Sequence, residues 1–291
     1  MSKQDSDIEP YSAAAAPSPD TTHNPRLKIW NLWVILLANG AFALLTNLLF
    51  FFDGIPLFKN STSRWALIFL GLLIYSLQAG LIFVLVRKFA LNHWLQRPFH
   101  AVQWLWALAV GLTLWLLTNA FLFFKLPEAT LRLNSGQSFW RFFTTFLLNS
   151  IPGALIEEFL FRYLPVRYAH MMQLSRTKTL LLFMAVVVFF TITHIPAYLW
   201  QYKYTLWSLW NPFTMGIAFF FVYYATRNLA FTTLFHAFHN NSWYLFGHAE
   251  HKDYSFIILV SIFWFLLRTR TQATLWQDDE SHESPNPKAS V

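Results

Sequence analysis

Ile151-Pro-Gly-Ala-Leu-Ile-Glu-Glu-Phe-Leu-Phe-Arg162 sets two adjacent glutamates and an arginine inside an apolar run of helical length. An ionised side chain at mid-bilayer costs roughly 2.5 to 3.5 kcal/mol on insertion scales, so Glu157, Glu158 and Arg162 need pairing, protonation or an internal water pocket. The twelve other acids fall in tails, in loops or at the ends of apolar runs. Chemistry is therefore expected at this pair.

The chain around it is 56% hydrophobic and 20% aromatic, with 12% charged residues, about half the ~25% of soluble domains. Runs long enough to span a bilayer recur near 29 to 52, 65 to 86, 101 to 124, 139 to 161 and 179 to 200, followed by 212 to 226, 228 to 247 and 254 to 267. The expected fold is an all-α, polytopic transmembrane helical bundle of about eight spans. With the N-terminus inside, the 21 Lys and Arg residues divide fourteen inside to seven outside, and the reverse orientation inverts that bias. Both termini are placed in the cytoplasm.

Four segments follow: a disordered cytoplasmic tail at 1–28, three N-terminal spans within 29–136, a core at 137–268 and a second disordered tail at 269–291. The net charge of +7 does not point to nucleic acid, because the cations are spread among short loops and gather on no single face. No cysteine occurs, which leaves oxygen and imidazole chemistry.

Glu158 and Arg162 are i and i+4 on a helix and can pair, whereas Glu157 points about 100° away toward another partner. Asn149 and Ser150 ahead of Pro152 resemble a cap with a first-turn proline, so a new helix is expected to begin there. His194 precedes Pro196, which opens or ends the helix just past it. In His236-Ala-Phe-His-Asn240, His236 and Asn240 share a face, and His239 lies close enough in angle to exchange roles with His236. Three runs thus supply a carboxylate, an imidazole, and an imidazole with an amide. That inventory can activate water and stabilise an oxyanion.

Glu157-Glu158-Phe-Leu-Phe-Arg162, Phe190 to His194 and His236 to Asn240 are similar to the E-E-x-x-x-R, F-x-x-x-H and H-x-x-x-N/D motifs of the CPBP (CAAX-processing and bacteriocin-processing, or Abi) intramembrane proteases, which include the Ras-converting CAAX endopeptidases. The resemblance covers roughly residues 145 to 245. It implies an endopeptidase acting on a membrane-embedded or lipid-anchored substrate, CAAX-type chains included, in an integral membrane protein of a bacterial plasma (inner) membrane. Glu157, helped by His194, would activate water reaching it from the cytoplasmic side; His236 with Asn240 would hold the oxyanion, and Glu158 with Arg162 would orient the site. A metal-free mechanism is favoured, since no H-E-x-x-H motif occurs, with zinc held by Glu157, His194 and His236 as the alternative.

Two other functions fit the same residues: a proton- or ion-coupled transporter, and a non-catalytic membrane maturation or immunity factor. Against the transporter, residues 29 to 124 hold no second broken, charged segment. Asn39, Asn47 and Asn119 are read as packing contacts. One geometric conflict stands: counted from the inner loop, Glu157 lies about 6 Å deep and His194 about 24 Å. Either the fourth span re-initiates near Pro152 and runs on past Arg162, or the fifth helix projects into the cytoplasm before entering near Leu182.

Overall fold

The computed structural model describes residues 28–51, 63–89, 91, 101–125 and 133–246. Both tails and the expected span at 254–267 lie outside these. The described elements are helices: α1 (Ile29–Phe51), α2 (Arg64–Lys88), α3 (Ala101–Lys125), α4 (Gly136–Thr145), α5 (Ile151–Glu158), α6 (Leu164–Met171), α7 (Arg176–Thr193), α8 (Trp210–Thr226) and α9 (Leu229–Asn240). Four stretches, Ile29–Leu48, Arg64–Lys88, Ala101–Phe124 and Arg176–Trp200, are long and apolar enough to cross a membrane. The chain is an integral membrane protein built of helices, as expected.

Lipid is as apolar as leucine, so burial alone does not drive such helices together; close packing and interhelical hydrogen bonds do. Leu73, Leu105, Leu180 and Leu181 accordingly stay exposed. The buried core joins Leu32, Ile35 and Leu36 of α1 to Ile82 and Val86 of α2, with Leu164 and Tyr168 of α6 and Leu182 and Val186 of α7. Gly216 lets α8 approach α7, since a Cβ there would stand 3.1 Å from Val187 and 3.2 Å from Phe190.

α4, α5 and α6 form one continuous helical run from Gly136 to Met171, widened at Phe146–Ser150 and at Phe159–Tyr163. In each widened turn the bond skips one residue further than in an α-helix: Ile151 N–H donates to the Phe146 carbonyl, and Leu164 N–H to that of Phe159. The expected helix start at Asn149-Ser150 is therefore corrected. Ser150 has helical angles (φ −70°, ψ −44°) and no capping hydrogen bond. Pro152 does not restart the helix because a widened turn gives its ring room from the preceding turn's carbonyl, and Pro165 stands at the same offset behind the second one.

The same run resolves the depth conflict. Arg162 is not in an inner loop but 1% exposed inside the helix, whose turn comes only after Met171. Counted from Met171, Glu157 lies about 21 Å along the helix, close to the level of His194. The fourth span runs on past Arg162, as the first alternative had it, but without the re-initiation near Pro152 that went with it.

α9 is carried into the bundle by its ends. Arg227 adopts a left-handed conformation (φ 50°) that closes α8. Asn228 then caps α9, accepting from Phe231 N–H at 3.0 Å and donating to the Gln103 carbonyl at the start of α3 at 3.2 Å. Past the far end of α9, the Trp115 indole donates to the Trp243 carbonyl at 2.8 Å, and the Asn119 side-chain oxygen accepts from Leu245 N–H at 2.6 Å. Asn119 is thus a packing contact, as read from the sequence.

Candidate active site

Glu157 and Glu158, one residue apart on α5, face different surroundings. Glu158 is fully buried, with its Oε1 2.7 Å from Nδ1 of His236 and 3.4 Å from the Arg162 guanidinium. Glu157 keeps 34% of its side chain exposed and sets Oε2 3.7 Å from Nε2 of the same His236. One imidazole therefore bridges both acids. The expected pairing of Glu158 with Arg162 is present, and His236 adds a contact to each acid that the sequence did not foresee.

Aromatic rings hold this cluster. Phe219 of α8 stacks on His236, with ring centroids 4.3 Å apart and planes 23° from parallel. The Arg162 guanidinium lies 4.3 Å from the Phe190 ring centre and 5.4 Å from that of Phe219, so its charge meets two π faces as well as Glu158. His239 meets Phe219 edge-on at 5.9 Å, and it is His236 that reaches the glutamates.

His194 is placed by the end of its own helix. Its backbone N–H turns to the Thr191 carbonyl at 3.1 Å, which releases the Phe190 carbonyl from the usual helical bond. That carbonyl instead accepts from the Thr193 hydroxyl at 2.7 Å and from His194 Nδ1 at 2.8 Å. A carbonyl oxygen only accepts, so Nδ1 carries a proton and the neutral ring keeps Nε2 as its basic nitrogen. Past it, Pro196 opens the widened turn Pro196–Gln201, so the regular winding is opened just past His194, as the sequence predicts.

Glu157 and His194 line one cavity of about 460 Å³. Its other walls come from α1 (Asn39, Ala43, Thr46, Asn47), α2 (Leu67, Leu70, Ile74, Tyr75, Gln78) and Leu160, Phe161 and Ala197. Of the site residues expected from sequence, Glu157, Glu158, Arg162 and His236 form one contact network, and His194 shares the cavity with Glu157. Asn240 ends α9 one turn beyond His236 and is exposed. Among the described residues no three His, Asp or Glu side chains are gathered to hold a metal ion, with His236 Nδ1 already taken by Glu158.

Residues 138–242 match the family model described as type II CAAX prenyl endopeptidase Rce1-like. This segment is similar to that family. No curated protein and no solved structure matches the chain. The Rce1-like segment contains α5, α7 and α9, and hence both glutamates and His194, His236 and Asn240. A segment similar to a protease family thus sits within a helical membrane protein.

Sequence reasoning missed the contribution of α1 and α2, which lie outside the Rce1-like match. Tyr75, Gln78, Thr46 and Asn47 wall the cavity, so Asn39 and Asn47 are more than packing contacts. The signal was present in the spacing: Asn39, Gly40, Ala43, Thr46 and Asn47 set small and polar positions along one helical face of an otherwise leucine-rich run. The amides of Asn39 and Asn47 donate to their own helix, at Ile35 and Ala43, which leaves their oxygens as acceptors.

Gly153 sets the approach of α2 to α5. A Cβ there would stand 2.8 Å from the Tyr75 hydroxyl and 2.9 Å from its ring carbon. Gly153→Leu is expected to destabilise the protein by about 1 to 3 kcal/mol through overpacking. Thermal unfolding in detergent measures this, and adding Tyr75→Ala should return most of the loss. If Gly153→Leu leaves unfolding unchanged, the helices do not meet there.

Proposed function

We propose that the protein is an intramembrane endopeptidase of glutamate type that hydrolyses a peptide bond in a membrane-embedded or lipid-anchored substrate. The observation that carries this is the position of His236 between two unlike glutamates, one buried and committed, the other facing a cavity shared with a second imidazole. Glu157, ionised, takes a proton from the attacking water while His194 Nε2 accepts a hydrogen bond from the same water. The hydroxide adds to the scissile carbonyl. His236, held through Nδ1 by Glu158, presents Nε2 toward the reacting centre and, when doubly protonated, donates to the developing oxyanion. Asn240 joins it in the role that the motif implies. Collapse of the tetrahedral intermediate then passes the proton from Glu157 to the leaving amine.

The cut segment must be extended, since a helical peptide keeps its carbonyls in hydrogen bonds, and the cavity provides walls within which it can unwind. The transporter reading finds less support: the polar residues of α1 and α2 face the same cavity as Glu157 and supply no second charged site.

Purified protein in detergent should cleave a quenched membrane-peptide substrate, with activity lost in His194→Ala and in His236→Ala while the protein stays monodisperse. Extensive dialysis against a chelator should leave cleavage intact. Loss of activity restored by added zinc would replace the metal-free scheme with the zinc one. Proton-coupled flux in liposomes without any cleavage would favour the transporter.

A further inference from the structure

Cutting an extended segment frees peptide N–H and C=O groups on both sides of the scissile bond, and within a bilayer each must find a new partner. In the scheme above, Glu157, His194 and His236 act on the water and the reacting carbonyl, which leaves the flanking peptide groups to other residues. α1 and α2 bring to the cavity wall one acceptor and one donor that the scheme does not use, at Asn39 and Tyr75.

Asn39 is 1% exposed and lines the cavity. Its side-chain nitrogen donates to the Ile35 carbonyl at 2.8 Å, which fixes the amide, since the reverse orientation would set two oxygens against each other. Its Oδ1 is buried and has no donor among the described residues. A buried acceptor without a donor is costly and uncommon, and this one belongs to the wall of a space within the size range of ligand sites. Tyr75 offers the converse, a phenol O–H that donates. Its hydroxyl meets α5 at Gly153, where a Cβ would stand 2.8 Å away, and it is close enough to Glu157 for the carboxylate charge to act on it.

The two groups flank Glu157 along the helix. Gly153, Glu157 and Phe161 follow at i, i+4 and i+8 and all line the cavity, over a rise of about 12 Å. Tyr75 abuts the first of them. Asn39 belongs with the last: a Cβ on its neighbour Gly40 would stand 2.6 Å from the Phe189 ring, and that ring packs on Phe161 with centroids 6.2 Å apart. An extended chain rises about 3.3 Å per residue, so roughly three to four residues laid along α5 reach from one group to the other with Glu157 between them.

We propose that Asn39 and Tyr75 hold the main chain of the extended substrate on the two sides of the scissile bond, Asn39 Oδ1 accepting from one peptide N–H and the Tyr75 hydroxyl donating to one peptide carbonyl. This rests on the protease reading and adds to it how the substrate is gripped: by backbone atoms, and not by side chains.

The test is a coupling measurement on the purified full-length protein in detergent, with a quenched membrane peptide whose cleaved bond is mapped on the wild type. Each amide within about three residues of that bond is replaced in turn by an ester, which removes one N–H and weakens the adjoining carbonyl as an acceptor. On the all-amide peptide, Asn39→Leu and Tyr75→Phe should each lower kcat/KM by roughly 5- to 100-fold, chiefly through KM, with an unchanged melting temperature, because each leaves one peptide group unpaired. At one ester position the loss seen in the wild type should bring no further loss in Asn39→Leu, and at another, across the cleaved bond, the same should hold for Tyr75→Phe. Should Asn39→Leu not fold, Asn39→Ala takes its place against the same peptides. Losses that multiply at every position, wild-type kcat/KM in either variant, or both couplings on one side of the cut would overturn the inference while leaving the protease reading in place. Wild-type protein that cleaves no peptide is instead a failure of the protease reading, and the inference falls with it.

Discussion

Glu157→Gln is expected to lower peptide cleavage by roughly 10²- to 10⁴-fold, the usual contribution of a positioned general base. The substitution keeps the shape of the side chain and its contact with His236 while removing the basic oxygen. Glu157 is partly open to the cavity, so its loss of charge should leave the bundle folded, with an unchanged elution profile and melting temperature. Single-turnover cleavage by equal amounts of folded wild type and variant is the measurement. A variant with full activity would remove Glu157 from the mechanism and leave the buried Glu158 as an acid without access to water.

Glu158→Ala is expected to act in the opposite manner, on stability first. It leaves the Arg162 charge buried without its acid and His236 Nδ1 without an acceptor, a situation that costs about 3 to 5 kcal/mol. The two aromatic faces around Arg162 offset only part of this. The double variant Glu158→Gln with Arg162→Met removes both charges, keeps an acceptor for His236, and should recover most of the lost stability, because an ion pair exchanged for neutral groups of similar volume is often close to neutral. Thermal unfolding of the three proteins in one detergent decides this. Equal melting temperatures for wild type and Glu158→Ala would show that the buried pair contributes nothing to the fold.

The helical membrane architecture was readable because hydropathy reports span length directly, and four of the expected runs return as spans of the described chain. The acid pair was readable because carboxylates inside an apolar run are rare and costly. What the sequence concealed was phase. An α-helical wheel places Glu158 toward Arg162 but does not foresee the widened turns on either side of α5, nor that His236 would meet both glutamates. Depth was misjudged for a related reason: the fourth run was ended at 161, since a cation normally marks a span end, yet Arg162 and Arg167 both lie buried in the helix that continues to Met171. Proline misled in the same way at Pro152, where the neighbouring residues mimic a cap. The walls supplied by α1 and α2 were hidden because amides among leucines have an ordinary reading as interhelical contacts.

The two widened turns flanking Ile151–Glu158 each absorb one surplus residue without interrupting the helix. Tightening either to ordinary winding would turn everything beyond it by about 100°. A related chain that lacks the surplus residue at one of these turns would close it to ordinary winding while the acids keep their bearing, so alignments of this region should tolerate single-residue gaps at the two turns where a straight helix would tolerate none.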